Sequence, residues 1–249
     1  MEVDNLITFF RAIPDCRLPV RADRSALGTI PVAAYKHCEA LTTASGLGWY
    51  VFSPLNFTVQ WDGAEVIWTY EGADAWFPLT SAQYPGFAEY FDANAPEAVR
   101  GYSPPFLANT AIPGLLQIWT GLFVKTAPDW SLRVRPLVNL PVNRNYELYE
   151  GIVETDRWFG PLFTNLRLSR QDYPISFSTE LPLFQVQLQP RSSYLEESMK
   201  RCALIEEPLA LSAADWEAFA ATIVRPSANP HRPLADYAVR TRKRARSPN

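Results

Sequence analysis

The chain has 249 residues, of which 47% are hydrophobic and 20% charged, and its formal net charge is −3. This composition is typical of a globular protein and excludes a disordered chain. Three widely spaced cysteines and two histidines provide neither a disulfide framework nor a His/Cys zinc site. The sequence also lacks a basic leader with an apolar core and any run of about 20 apolar residues that could span a bilayer. We therefore expect a soluble, cytoplasmic protein without a metal or an organic cofactor.

The N-terminal part predicts one helix, over residues 32–43, with Gly46 and Gly48 just beyond its end. His37 and Cys38 lie inside this helix. Adjacent helical positions point about 100° apart, so these two side chains do not form a catalytic pair by themselves. We expect both to pack as ordinary helix side chains.

The middle of the chain is rich in β-strand signals. Aromatic and β-branched runs at 49–70 flank an Asp-Gly turn, which predicts a hairpin. Residues 115–138 and 146–169 predict two more strand pairs, and 175–188 closes the series. The predicted fold class is mainly β, a barrel or sandwich, with an N-terminal helix and C-terminal helices, and α+β overall.

We expect residues 1–225 to form a single domain. Within it, 72–113 lacks clear periodicity and exceeds the usual loop length, which is typical of a functional lid. Residues 226–249 predict a tail in which 240–246 hold five basic groups, and removing those charges takes the rest of the chain from −3 to −8. A solvated, disordered end is the expected state of this tail. An electrostatic tether to an acidic partner or to nucleic acid is the alternative.

The stretch 193–225 predicts helices. Ser193 with Glu196, and Ser212 with Asp215, have the spacing of capping boxes. An apolar stripe at helical spacing, expected to pack on the body, consists of Trp216, Phe219, Ala220 and Ile223.

Seven of the eight tryptophans lie in the β-rich region. Indole rings can form a stacking wall for a ring-bearing or cationic ligand, and Trp61, Trp119 and Trp158 are the candidates for such a wall. Large aromatic side chains equally often fill a core. The sequence leaves both interpretations open.

A pair of acids gives the second functional indication. If residues 150–157 are extended, Glu154 and Asp156 share one face, about 6.6 Å apart along the strand. Paired acids in a partly dry pocket acquire different pKa values, as general acid/base catalysis requires. Alternatively, both acids face water or pair with Arg133 and Arg135, which share a face of a neighbouring predicted strand.

Three segments in order resemble the trimeric dUTP hydrolases and dCTP deaminases. They are TGLFVKTAPDWSL at 120–132, GIVETD from residue 151, and LPLFQVQLQP at 181–190. The resemblance covers about 115–190. It implies the β-clip fold of that family and a homotrimer with sites between subunits.

Carried over by this resemblance, Glu154 stands in the place of the acid that activates the attacking water. Asp156 matches the second acid, Gln185 matches a glutamine of the last motif, and the catalytic glutamate of the deaminases falls near Asn165. However, residues 136–138 replace the phosphate-binding Pro-Arg-Ser motif, and the glycine-rich phosphate arm is missing. Nucleotide hydrolysis and deamination are therefore not expected, because a triphosphate needs several donors.

The N-terminal half resembles an uncharacterised bacterial family linked to small-molecule biosynthesis and secondary metabolism. The residues that carry this likeness are 35–38, 48–49, Pro54 and 61–63. The resemblance implies that the chain accompanies biosynthetic enzymes, and it assigns no mechanism.

The sequence thus predicts a cofactor-free enzyme that acts on a small polar metabolite, free or carrier-bound. The reaction is an elimination, a hydrolysis, or a cyclisation that expels an anionic group. Glu154 would be the general base, with Asp156 or Asp62 orienting the substrate. Arg133 or Arg135 would hold the anion. The substrate-binding candidates are Arg133, Arg135, Trp61, Trp119, Trp158, Asn165 and Gln185.

Two alternative functions stay open. One is a non-catalytic partner of another biosynthetic enzyme, and the other is a nucleotide-binding protein of the dUTPase type. A homo-oligomer or a partner enzyme is expected in either case, and neither a membrane nor a nucleic acid.

Overall fold

The structure is a computed structural model that describes residues 5–141, 144–228 and 236–246. Its strands in chain order are β1 (Ile7–Arg11), β2 (Val20–Arg21), β3 (Trp49–Phe52), β4 (Phe57–Trp61), β5 (Val66–Tyr70), β6 (Phe77–Pro78), β7 (Ser81–Ala82), β8 (Leu107–Asn109), β9 (Leu115–Thr126), β10 (Trp130–Arg135), β11 (Tyr146–Leu148), β12 (Gly151–Val153), β13 (Gly160–Leu168), β14 (Ile175–Phe177) and β15 (Pro182–Pro190).

The helices are α1 (Val32–His37), α2 (Glu39–Ser45), α3 (Phe87–Asn94), α4 (Glu196–Met199), α5 (Ala213–Phe219), α6 (Arg225–Ser227) and α7 (Asp236–Arg246). A π-helical turn, Ala220–Val224, joins α5 to α6, and 3₁₀ turns form at Glu97–Val99 and Arg191–Ser193.

The strands form three antiparallel sheets. The first has the order β11-β13-β9-β8-β7, with β1 also paired to β9; the second is β12-β10-β15-β3-β2, and the third is β14-β4-β5-β6. The predicted mainly-β, α+β fold class is confirmed. None of the helices in the described residues is long and apolar enough to cross a membrane.

The hairpin at the Asp-Gly turn forms as predicted, since β4 and β5 pair up to Trp61 opposite Val66. The strand pair predicted within 115–138 is wrong. The pair predicted within 146–169 forms in part, because β11 pairs with β13, with Tyr146 opposite Leu168. β9 and β10 follow each other along the chain but enter different sheets, and β12 pairs with β10 whereas β13 pairs with β9. The reason is burial: Val124 of β9 and Leu132 of β10 are both buried, which places the two strands in facing layers of one core.

The segment 72–113 is tied to the core. It supplies short strands and α3, and its Phe87, Phe106 and Leu107 side chains are buried. Phe106 packs edge-on against Phe57, with ring centroids 5.1 Å apart. This segment therefore contributes side chains to the core.

The predicted helix at 32–43 is broken at Cys38, whose extended backbone separates α1 from α2. His37 and Cys38 are both exposed, so the prediction that they pack is wrong. The reason is that α1 buries none of its side chains, whereas α2 buries Glu39 and Thr42.

The C-terminal helices agree with the sequence at one cap only. Ser212 and Asp215 form the predicted capping box at the start of α5. Ser193 forms none: its hydroxyl donates to the Pro190 carbonyl at 2.6 Å, and α4 begins after Leu195 without a side-chain cap. The predicted packing of the apolar stripe on the body is also wrong, because its large side chains are nearly half exposed.

In the predicted tail, residues 236–246 form α7, which lies against α2. The Nε atom of Arg242 donates to Glu39 Oε2 at 2.7 Å, and Arg24 binds the other oxygen at 2.5 Å. Burial disfavours the charged form of Glu39, but the two guanidinium groups outweigh it and hold the pKa of Glu39 below its ordinary value.

Two glycines with the same φ angle can be compared to test the close approach of the backbone just before β3 to β15 of the second sheet. Gly48 and Gly72 both have φ of +94°, but an added Cβ would lie 1.9 Å from the Val186 carbonyl oxygen at Gly48 and would meet nothing within 4 Å at Gly72. We predict that Gly72→Ala costs about 1–2 kcal/mol of backbone strain. Gly48→Ala should cost about 3–5 kcal/mol, because the strand must also move. Urea unfolding of both variants measures the difference, and equal losses would contradict this close approach.

Candidate functional site

A cleft of about 450 Å³ opens between the first and second sheets. Its walls come from β9, β13, β10 and β12 and from the turn that follows β12. The residues that line it are Gln117, Val124, Leu132, Val134, Val153, Thr155, Trp158, Pro161, Leu162, Phe163 and Asn165. We call this space the inter-sheet cleft. Its volume is in the range of small-molecule sites.

Two carboxamides lie on the otherwise mainly apolar wall of the cleft. Gln117 and Asn165 are directly opposed in the antiparallel pairing of β9 with β13. Their side chains therefore meet, and Gln117 Nε2 donates to Asn165 Oδ1 at 3.4 Å. This is a long bond, and the amide donors of Asn165 have no further partner among the described residues.

Trp158 forms part of the rim. Its backbone N–H and that of Arg157 both donate to the Glu154 carbonyl at 2.9 Å, which fixes the turn after β12. The indole covers Gly160 so closely that a Cβ there would lie 2.5 Å from Trp158 Cη2. The residue is 48% exposed, so its side chain is only partly covered by the fold.

The acid pair lies beside the cleft and does not line it. Val153 and Thr155 face the cleft, and Thr155 shares a hydroxyl–hydroxyl hydrogen bond of 2.8 Å with Thr126. The alternating residues Glu154 and Asp156 both contact the guanidinium of Arg191. The alternative in which these acids pair with Arg133 and Arg135 is not what forms, because Glu150 pairs with both of those arginines.

Arg191 and Asp156 form a buried ion pair, with both side chains 8% exposed. The backbone N–H of Asp129 also donates to Asp156 Oδ2 at 3.1 Å. The hydrogen bond from Arg191 outweighs desolvation and holds the pKa of Asp156 below its ordinary value, and the same contacts raise the pKa of Arg191. Asp156 is thus an ionised anchor and a weak proton acceptor.

Glu154 is the more accessible acid, with a side chain 43% exposed. Besides Arg191, it contacts Arg157 Nη1 at 3.5 Å, and the Tyr194 hydroxyl lies 3.5 Å from its Oε1. Tyr194 in turn shares a 2.6 Å hydrogen bond with Ser131. Glu154 therefore combines a fixed position with a surface open to solvent.

Trp61 is the last residue of β4 in the third sheet, and Asp62 follows it in the hairpin turn. Asp62 Oδ1 accepts hydrogen bonds from the backbone N–H groups of Glu65 and Ala64 at 2.7 and 2.8 Å. These bonds hold the pKa of Asp62 below its ordinary value and close the hairpin turn. Trp61 is half-buried and covers Gly114. The structure places neither residue on the inter-sheet cleft.

Two predicted binding residues belong to the core. Trp119 is fully buried, and its indole N–H donates to the Leu122 carbonyl at 2.8 Å. Gln185 is also fully buried: its amide donates to the Leu47 and Ser45 carbonyls, and its Oε1 accepts from the Val138 N–H. Because their polar atoms are used within the fold, we correct the assignment of both residues to a binding surface.

Sequence reasoning missed Gln117 and Arg191. Gln117 carried one available signal, a polar residue inside a strand of mostly apolar residues. Arg191 follows the last strand and reaches the acids only through the pairing of β15 with β10 and of β10 with β12. A local sequence pattern cannot predict a contact that depends on two separate strand pairings.

No protein-family model and no curated protein matches this sequence. Among solved structures, a dUTPase from phage phi11 of S. aureus is similar to 83% of this chain over 100% of its own, at 11% identity and a TM-score of 0.38. A dUTPase of Staphylococcus bacteriophage 80alpha is similar to 84% of this chain over 93% of its own, at 8% identity and a TM-score of 0.38. The likeness is too remote to transfer a residue role or an activity.

The buried ion pair gives a pH-dependent prediction. A lowered pKa means that the stability from Asp156 is fully present above its unfolded pKa of about 3.9 and is lost as pH falls through the folded pKa. Asp156→Asn should therefore lower the melting temperature clearly at pH 7, and the difference from the wild type should shrink below about pH 4. Asp129→Asn is the control, since that side chain is 86% exposed and 3.9 Å from Arg191. A loss as large for the control, or one independent of pH, would contradict the assignment.

Proposed function

We propose that this protein binds a small, flat metabolite with an amide-like edge in the inter-sheet cleft. The observation that carries the proposal is the carboxamide pair of Gln117 and Asn165 on a mostly apolar wall. A few polar groups among apolar ones are what orients a small ligand in a binding site. A carboxamide offers both donors and an acceptor, so it matches the N–H and C=O of a lactam or a heterocyclic base.

The remaining walls suit a ring. Trp158 offers an exposed indole, and Phe163 and Pro161 add flat apolar surface. The cleft lining, as far as the structure describes it, includes no Lys or Arg. The ligand is therefore selected by its ring and its amide edge, and a phosphate group contributes little at this position.

The nucleotide-binding alternative is tested by the same chemistry, because a pyrimidine base has an amide edge. We expect neutral heterocycles, namely bases, nucleosides and lactams, to raise the melting temperature, since binding to the folded state stabilises it. Triphosphates with Mg²⁺ should add nothing beyond their base. A shift that requires the triphosphate would instead favour the dUTPase-like alternative.

Removing the amide tests the carrying observation. Asn165→Leu preserves the approximate side-chain size and deletes both donors and the acceptor. We predict that it weakens binding of the ligand found in the screen by about tenfold or more, because the ligand's polar edge loses its partner. Isothermal titration calorimetry measures the change. Asn94→Leu is the matched control, since Asn94 is exposed on α3, and it should bind normally. Unchanged affinity of Asn165→Leu would contradict the proposal.

Catalysis by Glu154 is the second candidate function. It is favoured by one observation: the half-exposed carboxylate belongs to the turn whose neighbours Val153 and Thr155 line the cleft. On this hypothesis the protein is a cofactor-free enzyme of small-molecule biosynthesis, with Glu154 as general base for the part of the substrate that extends past the rim.

For this candidate we predict that Glu154→Gln lowers the turnover rate by at least about a hundredfold, whereas the affinity for the ligand is unchanged. Glu150→Gln is the control, because Glu150 pairs with Arg133 and Arg135 on β10. Full activity of folded Glu154→Gln would contradict the role. The non-catalytic partner alternative instead predicts ligand binding by the purified protein and no turnover.

A further inference from the structure

Residues 195–228, which we call the C-terminal arm, expose an unusual number of large apolar side chains. Leu204, Ile205 and Leu209 are 83%, 70% and 77% exposed, and Trp216, Phe219 and Ile223 are 43%, 47% and 49% exposed. α5, the π-helical turn and α6 contact one another in series, and α4 contacts the 3₁₀ turn at Arg191–Ser193. Apolar surface of this extent, when contiguous, is typical of an interaction site.

The helical part of the arm has its own stabilising contacts. α5 begins with the capping box of Ser212 and Asp215, which satisfies two free backbone donors. α5 then continues without a break through the π-helical turn into α6. Trp216 and Phe219 touch edge to face, with centroids 6.1 Å apart, and Ile223 follows at helical spacing. The arm thus presents an ordered helical face whose large apolar side chains are nearly half exposed.

Charged residues flank this face in a pattern that fits a second copy of itself. Glu217 and Arg225 form an exposed ion pair along the helix, with side chains 67% and 64% exposed. They lie four residues on either side of Ala221. Two such helices placed antiparallel about Ala221 would set Glu217 against the partner's Arg225, and Phe219 against the partner's Ile223. Because a twofold axis repeats each contact, the same Glu217–Arg225 pair would form at both ends of the helix pair.

We propose that the C-terminal arm is a self-association surface, on which two copies of this chain pair antiparallel through the helix from Ala213 to Ser227. The charges favour this occupant over a membrane. Asp215 and Glu217 outnumber the single cation Arg225, whereas a helix that binds an anionic bilayer carries a basic polar face. The arm assembly is independent of the inter-sheet cleft and of the function proposed for it.

Charge reversal tests the pairing on the full-length protein. Glu217→Arg alone places two cations together across the axis, and Arg225→Glu alone places two anions together. We predict that each single variant raises the dissociation constant by about tenfold or more, and that its mass in solution at moderate concentration is half that of the wild type. An equimolar mixture of the two variants, and the double variant, should regain the wild-type mass, because opposite charges meet again in both.

Multi-angle light scattering after size exclusion, with sedimentation equilibrium for the constants, measures these masses. Glu197→Arg is the control, since Glu197 lies on α4 in an i,i+4 pair with Arg201, and it should leave the mass unchanged. Phe219→Asp, checked for folding by circular dichroism, should also halve the mass. The proposal is overturned if the wild type has the same mass as the single variants. It is also overturned if Phe219→Asp dissociates the assembly but the charge-reversed variants do not restore it on mixing, because the arm then docks on a different surface.

Discussion

The contact on which the site depends is the burial of one guanidinium against one carboxylate. Arg191 and Asp156 are both almost removed from water, and neither charge is tolerated there without the other. Their pairing ties the turn after β12 to the end of β15. Because side chains alternate along that turn, holding Asp156 on one side sends Thr155 to the other, where it lines the inter-sheet cleft. The acids therefore fix the position of the cleft wall without lining the cleft themselves.

This arrangement separates polar groups that serve the fold from polar groups that are free to bind. Gln185 and Asn165 are both carboxamides on strands, and their sequence contexts look alike. Every polar atom of Gln185 is engaged by backbone groups in a site with no exposed area. Asn165 is exposed and accepts one long hydrogen bond from Gln117. The free hydrogen-bonding capacity, rather than the residue type, is what makes the second carboxamide a recognition element.

The same distinction explains how much could be predicted from the sequence. The β4–β5 hairpin and the cap of α5 are local, because Asp62 and Ser212 satisfy backbone groups within three residues, and both were predicted. The partners of β10 and the pairing of β13 with β9 were not, since strand pairing joins segments by burial rather than by proximity along the chain. Trp158 was predicted as one of three candidates for a stacking wall, but the sequence did not distinguish it from Trp119, which is buried in the core. Arg191 was missed because its role exists only after two sheet pairings.

The C-terminal region contains one helix that packs on the body, α7, and one helical segment, the C-terminal arm, whose apolar face is exposed. α7 carries a strongly basic sequence, yet its Arg242 pairs with the buried Glu39, which connects this helix to α2. The arm is thereby attached at both ends, to β15 on one side and, through α7, to α2 on the other. Attachment at both ends reduces the conformational freedom that the arm loses on association, so a modest helix-to-helix surface can suffice. Because the apolar face of the arm is already ordered and exposed to water, burying it against a second copy releases hydrophobic free energy.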